Sequence, residues 1–304
     1  MAEVPTDPLN WLGRISSAAH KLNYSGTFTY QSSKSVETSR IVHMVDATGE
    51  YEKLEALDGS PREVVRSNDE VQCFLPEQHL LIIDQSSTRR SFPARLPASA
   101  TSLSENYRIR KGEVVRIAGM ESQQIILEPK DALRFGHQFW ADVNSGLLLR
   151  ARLINEKGES IEQFAFTEVH VGTPFDREKV KSRFERSPEW KVVNARGSEV
   201  KVEDTGWVFR NTLPGYRQVV SVNRQTRADR AAAYHVVFSD GLAAISVFIE
   251  PSAGRSFAGP NGVSASGAFN IFRRPVGDHL ITVLGEVPVQ ALTRIADGVE
   301  MRKK

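Results

Sequence analysis

Seven histidines, His20, His43, His79, His137, His170, His235 and His279, are spread along the chain, with no two of them three or four residues apart. A helix therefore cannot bring a pair onto one face around a metal ion. Cys73 is the single cysteine, which removes an intramolecular disulfide and any multi-cysteine zinc site. It lies in an apolar stretch and reads as a small core residue. The sequence holds no G-x-S-x-G elbow, H-E-x-x-H, phosphate-binding G-x-x-x-x-G-K-S/T or dinucleotide-binding G-x-G-x-x-G. Carboxylates are numerous, but neighbours in a strand point to opposite faces, so an acid–base pair would have to come from distant strands. The expectation is a protein that is not an enzyme and that holds neither a metal nor a cofactor.

Basic clusters are the other chemistry on offer: Arg89-Arg90, Arg108 with Arg110-Lys111, Arg273-Arg274 and the tail Arg302-Lys303-Lys304. Guanidinium groups there suit phosphates or acidic partner segments. The total charge does not reinforce them, because 39 Lys and Arg face 37 Asp and Glu for a net +2. No general attraction to nucleic acid follows, and basic residues are not interleaved with aromatics as in single-strand binders.

Positioning any such residues falls to strands. Tyr24 to Gln31 alternates, with Tyr24, Gly26, Phe28 and Tyr30 on one face and polar residues on the other, the signature of an antiparallel strand with one wet face. Similar runs occupy 39–46, 51–57, 63–66, 71–75, 80–84, 113–118, 123–128, 138–143, 147–155 and 161–171, separated by turn signals such as Asp58-Gly59 and Asn144-Ser145-Gly146. About ten short strands at this spacing predict one large curved antiparallel sheet or open barrel. Asp7-Pro8 opens a helix, and Trp11, Ile15, Ala18 and Leu22 make one apolar stripe that should lie on that sheet. A second short helix is expected from Thr173-Pro174 to Ser187-Pro188. The Ser-, Ala-, Pro- and Arg-rich run 86–106 reads as a long loop.

The second half restarts at Trp207, with strands expected at 216–224, 233–239, 243–250, 268–273 and 280–286. Asp240-Gly241 is a hairpin signal between two apolar runs. The Gly- and Ser-rich run 253–267 reads as a mobile loop. A last helix follows Pro288, with Val289, Leu292, Ile295, Ala296 and Val299 on one face. The fold class is α+β and mostly antiparallel β. A large unclosed β-barrel or curved sheet with covering helices occupies 1–187, a linker 188–206, and a smaller antiparallel sheet with a C-terminal helix 207–304. The longest apolar run, 242–249, has 8 residues, far short of the roughly 18–20 that a membrane span needs. Ala2-Glu3-Val4-Pro5 would suit a mature N-terminus left by cleavage, with Met1 an added start.

Several stretches carry a family resemblance that covers nearly the whole chain. Tyr24–Gln31 (YSGTFTYQ), Leu57–Pro76 (LDGSPREVVRSNDEVQCFLP), Glu159–Val169 (ESIEQFAFTEV), Val237–Glu250 (VFSDGLAAISVFIE) and Thr282–Pro288 (TVLGEVP) resemble the RseB/MucB family of periplasmic sigma-E regulators. Gly136–Ile154 (GHQFWADVNSGLLLRARLI) is similar to a strand-turn-strand shared with LolA/LolB lipoprotein carriers. The resemblance implies a carrier-like open barrel and a location in the periplasm, with a signal peptide already removed. It implies a regulator that binds the periplasmic region of a single-span anti-sigma factor and shields it from site-1 proteolysis. Release by lipopolysaccharide or another lipid, and a homo-oligomer, are also implied. The alternative is a periplasmic lipoprotein or lipid carrier, which has no evident need for the second domain; an envelope enzyme is the third reading.

For the partner site, charge and aromatic content beside the loops of the second half point to Arg210, Tyr216, Arg217, Phe257, Phe272, Arg273 and Arg274. For lipid, the apolar strand positions Phe28, Tyr30, Phe139 and Leu149 are the candidates, provided the covering helix leaves the concave face partly open. In the expected mechanism the linker lets the domains shift, and lipid favours an arrangement that the partner cannot use.

Overall fold

The computed structural model describes residues 5–302 apart from 33–34, 86–91, 95, 98–101, 173, 175, 186, 225–231 and 253–260. The first helix, α1 (Pro8–Lys21), starts where expected: the Asp7 carboxylate accepts from the Asn10 amide at 3.0 Å and Pro8 takes the first turn. Its stripe buries Trp11, Leu12, Ile15, Ala18 and Ala19.

The strands of the first half are β1 (Tyr24–Ser32), β2 (Val36–Asp46), β3 (Gly49–Ala56), β4 (Glu63–Ser67), β5 (Glu70–Leu75), β6 (Leu80–Gln85), β7 (Tyr107–Ile117), β8 (Met120–Pro129), β9 (Gly136–Asp142), β10 (Leu148–Ile154) and β11 (Ser160–Val171). With β12 (Lys191–Asn194) they form one twelve-stranded sheet, in the order β12-β6-β5-β4-β3-β2-β1-β11-β10-β9-β8-β7. The sheet is unclosed, with β12 and β7 as its two edges, and antiparallel except where β12 runs parallel to β6. Trp11, Leu12 and Ile15 of α1 share a core with Phe28, Ile41, Ile125, Phe139, Leu149 and Phe166 from across the sheet.

The second half holds β13 (Ser198–Glu199), β14 (Trp207–Phe209), β15 (Arg217–Arg224), β16 (Ala233–Ser239), β17 (Ala244–Pro251), β18 (Gly262–Ser266), β19 (Phe269–Val276), β20 (His279–Gly285), the helix α3 (Val289–Asp297) and β21 (Val299–Met301); a one-turn helix, α2 (Leu103–Asn106), precedes β7. Seven strands pair as β13-β15-β16-β17-β20-β19-β18, and β14 pairs with β21. Ala291, Leu292, Ile295 and Ala296 of α3 meet Ile245, Val247, Ile281 and Val283 in a second core. A sheet covered by a helix on one face is a stable two-layer solution.

The structure departs from the expectations in five places. Among its described residues the run 173–187 forms one 3-10 turn, Arg177–Val180, in place of the expected helix. Ser182 Oγ and the Arg183 amide donate to the buried Glu63 carboxylate of β4 at 2.7 and 3.0 Å, which holds the chain off the helical path. The polar stretch 188–206 is not bare chain, because β12 extends the large sheet and β13 extends the small one. Gly197 makes this possible: at φ 73° it passes so close to Arg224 that an added Cβ would sit 2.9 Å from the Arg224 Cβ. Of the run 253–267, residues 253–260 lie outside the described residues, and Gly262–Ser266 form β18, an edge strand of the small sheet. Cys73 is half-buried. Val299, expected on the last helix, lies just past it in β21.

Candidate functional site

The two halves meet at a buried polar node. Arg134 sits in the turn between β8 and β9, flanked by Leu133 and Phe135, and its side chain is 0% exposed. Its guanidinium donates to Asp240 at 3.0 Å, to Asp131 at 3.1 Å and to the Pro214 carbonyl at 2.6 Å. The rings of Tyr107 and Tyr216 lie 5.8 and 5.0 Å from it, within cation–π range. Asp240 is in the β16–β17 turn, where its other oxygen accepts the Leu242 and Ala243 amides at 2.9 and 2.8 Å. The Tyr107 hydroxyl donates to the same carboxylate at 3.2 Å, and the Tyr216 hydroxyl to the Leu133 carbonyl at 3.4 Å. Burial pushes the Asp240 carboxyl up, against the Leu242 amide and the Arg134 charge that pull it down. Burial also raises both tyrosine hydroxyls, so they stay protonated donors. Gly215 at φ 76° lies against the Asn106 amide, where a Cβ would clash at 2.2 Å. A second tie runs from Arg224 of β15 to Asp84 of β6 at 2.6 Å. The buried, fully paired Arg134–Asp240 contact, together with the Arg224–Asp84 pair, holds the two domains against each other.

Three of the four lipid candidates are core: Phe28 is 4% exposed, and Phe139 and Leu149 are 0%. Phe92, from the run read as a loop, inserts among them with its ring 5.1 Å from Phe28, 5.6 Å from Phe164 and 5.1 Å from Phe166. Leu96 joins the same core. Tyr30 is half-buried; its hydroxyl donates to Glu162 at 3.3 Å, and burial followed by the Glu162 charge takes it up to about 12. The gap beside Phe139, Ala151 and Phe164 admits no water molecule.

The partner candidates scatter. Tyr216 is buried in the node. Arg274 donates to the carbonyls of Ala296 at 2.9 and 2.6 Å and of Val299 at 2.8 Å, closing the C-terminal end of α3. Phe272 packs against the second core. Arg210 is exposed and paired with Glu300 at 2.6 Å. Arg217 is exposed and Arg273 half-buried; Phe257 lies outside the described residues.

One further node ties α1 to the sheet. Glu50 of β3 meets His20 of α1 at 3.1 Å and His43 of β2 at 3.0 Å. The second His43 nitrogen faces the Leu22 carbonyl at 2.8 Å, and its ring stacks on Tyr24 at 4.6 Å. Burial works against the Glu50 charge, but the hydrogen bonds to His20 and His43 win and take it down to about 2. Neither node is visible as a motif, since its members lie far apart in sequence. The one local hint is Arg134 between two apolar neighbours, a position where burial has to be matched by partners.

Such a molecule is a two-domain antiparallel β-protein with interlocked halves. Its matches are correspondingly long. The MucB/RseB N-terminal domain model matches residues 7–184 and the MucB/RseB C-terminal domain model residues 201–300. The chain therefore belongs to the MucB/RseB family. It is 29% identical over 297 residues to the sigma factor AlgU regulatory protein MucB of Pseudomonas aeruginosa, covering 95% of this chain and 90% of that protein. It is 24% identical over 293 residues to the sigma-E factor regulatory protein RseB of Haemophilus influenzae, covering 96% and 90%. The crystal structure of MucB in complex with MucA(peri) superposes with a TM-score of 0.75 at 27% identity, covering 98% of this chain and all of that one.

Proposed function

We propose that this protein is a periplasmic negative regulator of an envelope-stress sigma factor. It binds the periplasmic region of a membrane anti-sigma factor and shields that region from site-1 proteolysis. The observation that carries this reading is the match of both domains, in order and nearly end to end, to a MucB seen with MucA(peri). It acts by binding rather than by catalysis, and it self-associates. Exposed Arg210 and Arg217, with Arg273, are the cations this reading offers to the partner.

Lipid releases the partner. Phe92 and Leu96 occupy the concave face, and an acyl chain taking their place buries comparable apolar area at roughly 0.8 kcal/mol per methylene. Their displacement pulls on the run that leads into α2 and Tyr107, and Tyr107 is part of the Asp240 node. Lipid changes partner affinity only by its differential affinity for the two arrangements.

The test is fluorescence anisotropy of a labelled anti-sigma periplasmic segment, with and without lipopolysaccharide. Micromolar or tighter binding that lipid abolishes supports regulator and switch together. Binding indifferent to lipid removes the switch. No binding by folded protein overturns the regulator and favours a lipid carrier.

A further inference from the structure

One face of the large sheet carries two arginines, Arg150 and Arg152, that form no ion pair among the described residues. Cross-strand register aligns Gln31, Gln163, Arg152 and Gln138 in one row across β1, β11, β10 and β9. The next row on the same face holds Thr29, Ala165, Arg150, Trp140 and Gln124. Neither row contains a carboxylate. Arg150 and Arg152 both pack on the Trp140 ring, at 5.6 and 5.2 Å from its centroid. Nε of Arg152 donates to Gln163 at 2.6 Å, while the buried Nε of Arg150 meets no acceptor. Among the described residues neither arginine has an acidic side chain within 4.0 Å.

We propose that this patch is an anion site that takes a phosphate group on Arg150 and Arg152. It does not depend on the regulatory reading, and Arg152 also borders the gap beside Phe139, Ala151 and Phe164. Two guanidinium groups pack on one indole, near enough for the Arg152 charge to act on Arg150, and guanidinium recognises phosphate bidentately. A phosphate monoester brings a charge of about −1.5 to −2 near neutral pH. It therefore matches two cations, whereas a carboxylate matches one. Burial and the neighbouring Arg152 charge both weaken the hold of Arg150 on its proton, a cost that a bound anion relieves. At the Arg152 end a half-open cleft of about 360 Å³ is lined by Gln31, Ser32, Ser160 and Gln163. Their amides and hydroxyls can bind the polar remainder of a phosphorylated molecule. Glu162 lines the cleft too, where it accepts from Tyr30.

The experiment is calorimetric titration with inorganic phosphate, alongside flotation with phosphatidylcholine vesicles that carry phosphatidic acid. Wild type, the double variant Arg150→Gln/Arg152→Gln and the control Arg116→Gln are compared. Arg116 is a cation on β7 that caps only its own turn. The expected result is phosphate binding that weakens about tenfold or more in the double variant, with the melting midpoint and the control unchanged. Phosphate binding without flotation assigns the site to a soluble phosphorylated compound. Flotation that the double variant loses assigns it to a lipid headgroup. If the double variant does not fold, Arg152→Lys replaces it: it keeps the charge, loses the fork, and should still weaken binding. No binding of either probe by wild type, or equal binding by a folded variant, overturns the site.

Discussion

Arg134 and Asp240, 106 residues apart in the chain, meet at 3.0 Å with both side chains fully buried. Each comes from a turn of a different domain, so the pair exists only when the domains are docked. Asp240 is also fixed by two amides of its own turn and by Tyr107. The geometry argues against an interface that slides freely. A rearrangement has to expose or re-pair these charges together.

Removing one partner should therefore cost more than removing both. Arg134→Ala or Asp240→Ala should each destabilise by about 3–5 kcal/mol, because each leaves a buried charge unmatched. An apolar replacement of both, Arg134→Met with Asp240→Leu, should lose much less. Urea unfolding of the four proteins gives the coupling energy. Equal, additive losses would show that the two groups are not interacting.

The His20–Glu50–His43 node predicts a pH dependence with two limbs. Glu50 is held at about 2 against an ordinary 4.5, so its contribution is present above pH 4.5 and is lost as pH falls toward 2. That contribution is on the order of 3 kcal/mol. His20 is raised above 6.5 by its hydrogen bond to Glu50, against burial. Its contribution is present below 6.5 and fades as pH rises through the raised value. Stability from this node should peak between about pH 4.5 and 6.5, and Glu50→Gln should flatten both limbs in a pH series of chemical denaturation.

Phe92→Ala should cost about 3–5 kcal/mol if its ring is ordinary core. It should also open the concave face beside Phe28, Phe164 and Phe166. Binding of a fluorescent fatty acid by the variant, compared with wild type, measures the second effect. A variant as stable as wild type, with no gain in probe binding, would mean that Phe92 neither fills nor guards that face.

Arg274→Ala removes three hydrogen bonds to the Ala296 and Val299 carbonyls. A charged donor to buried carbonyls contributes about 1.5–3 kcal/mol. The variant should melt lower, and any loss of anti-sigma binding has to be compared with that drop. Arg217→Ala, at an exposed position, should leave the midpoint within about 0.5 kcal/mol of wild type. A selective loss of binding there would mark a true contact.

Local pattern carried most of the secondary structure. The Asp7-Pro8 start of α1, the alternation of Tyr24–Gln31, the Asp240-Gly241 hairpin and the stripe of α3 all appear where side-chain period and turn chemistry place them. These signals are local, and a strand or an amphipathic helix repeats its period within a few residues. Tertiary contacts overrode them at 173–187, where Glu63 captures Ser182 and Arg183. They did so again at 188–206, where edges of two sheets recruit four- and two-residue strands too short and polar to show a period.

The sequence by itself determined the class of fold, the order of its two sheets, the last helix and, through YSGTFTYQ and VFSDGLAAISVFIE, the family. Only the tertiary structure decided which polar residues matter. Arg134 with Asp240 is a pairing across domains and Glu50 with two histidines one across strands and a helix, and the register of β10 on β9 sets Arg150 and Arg152 against Trp140. It also showed that Tyr216 and Arg274, candidates by their chemistry, are engaged in holding the fold. The reason is physical: period and propensity act over a few residues, whereas burial and charge pairing depend on which distant strands the closed core brings within about 3 Å.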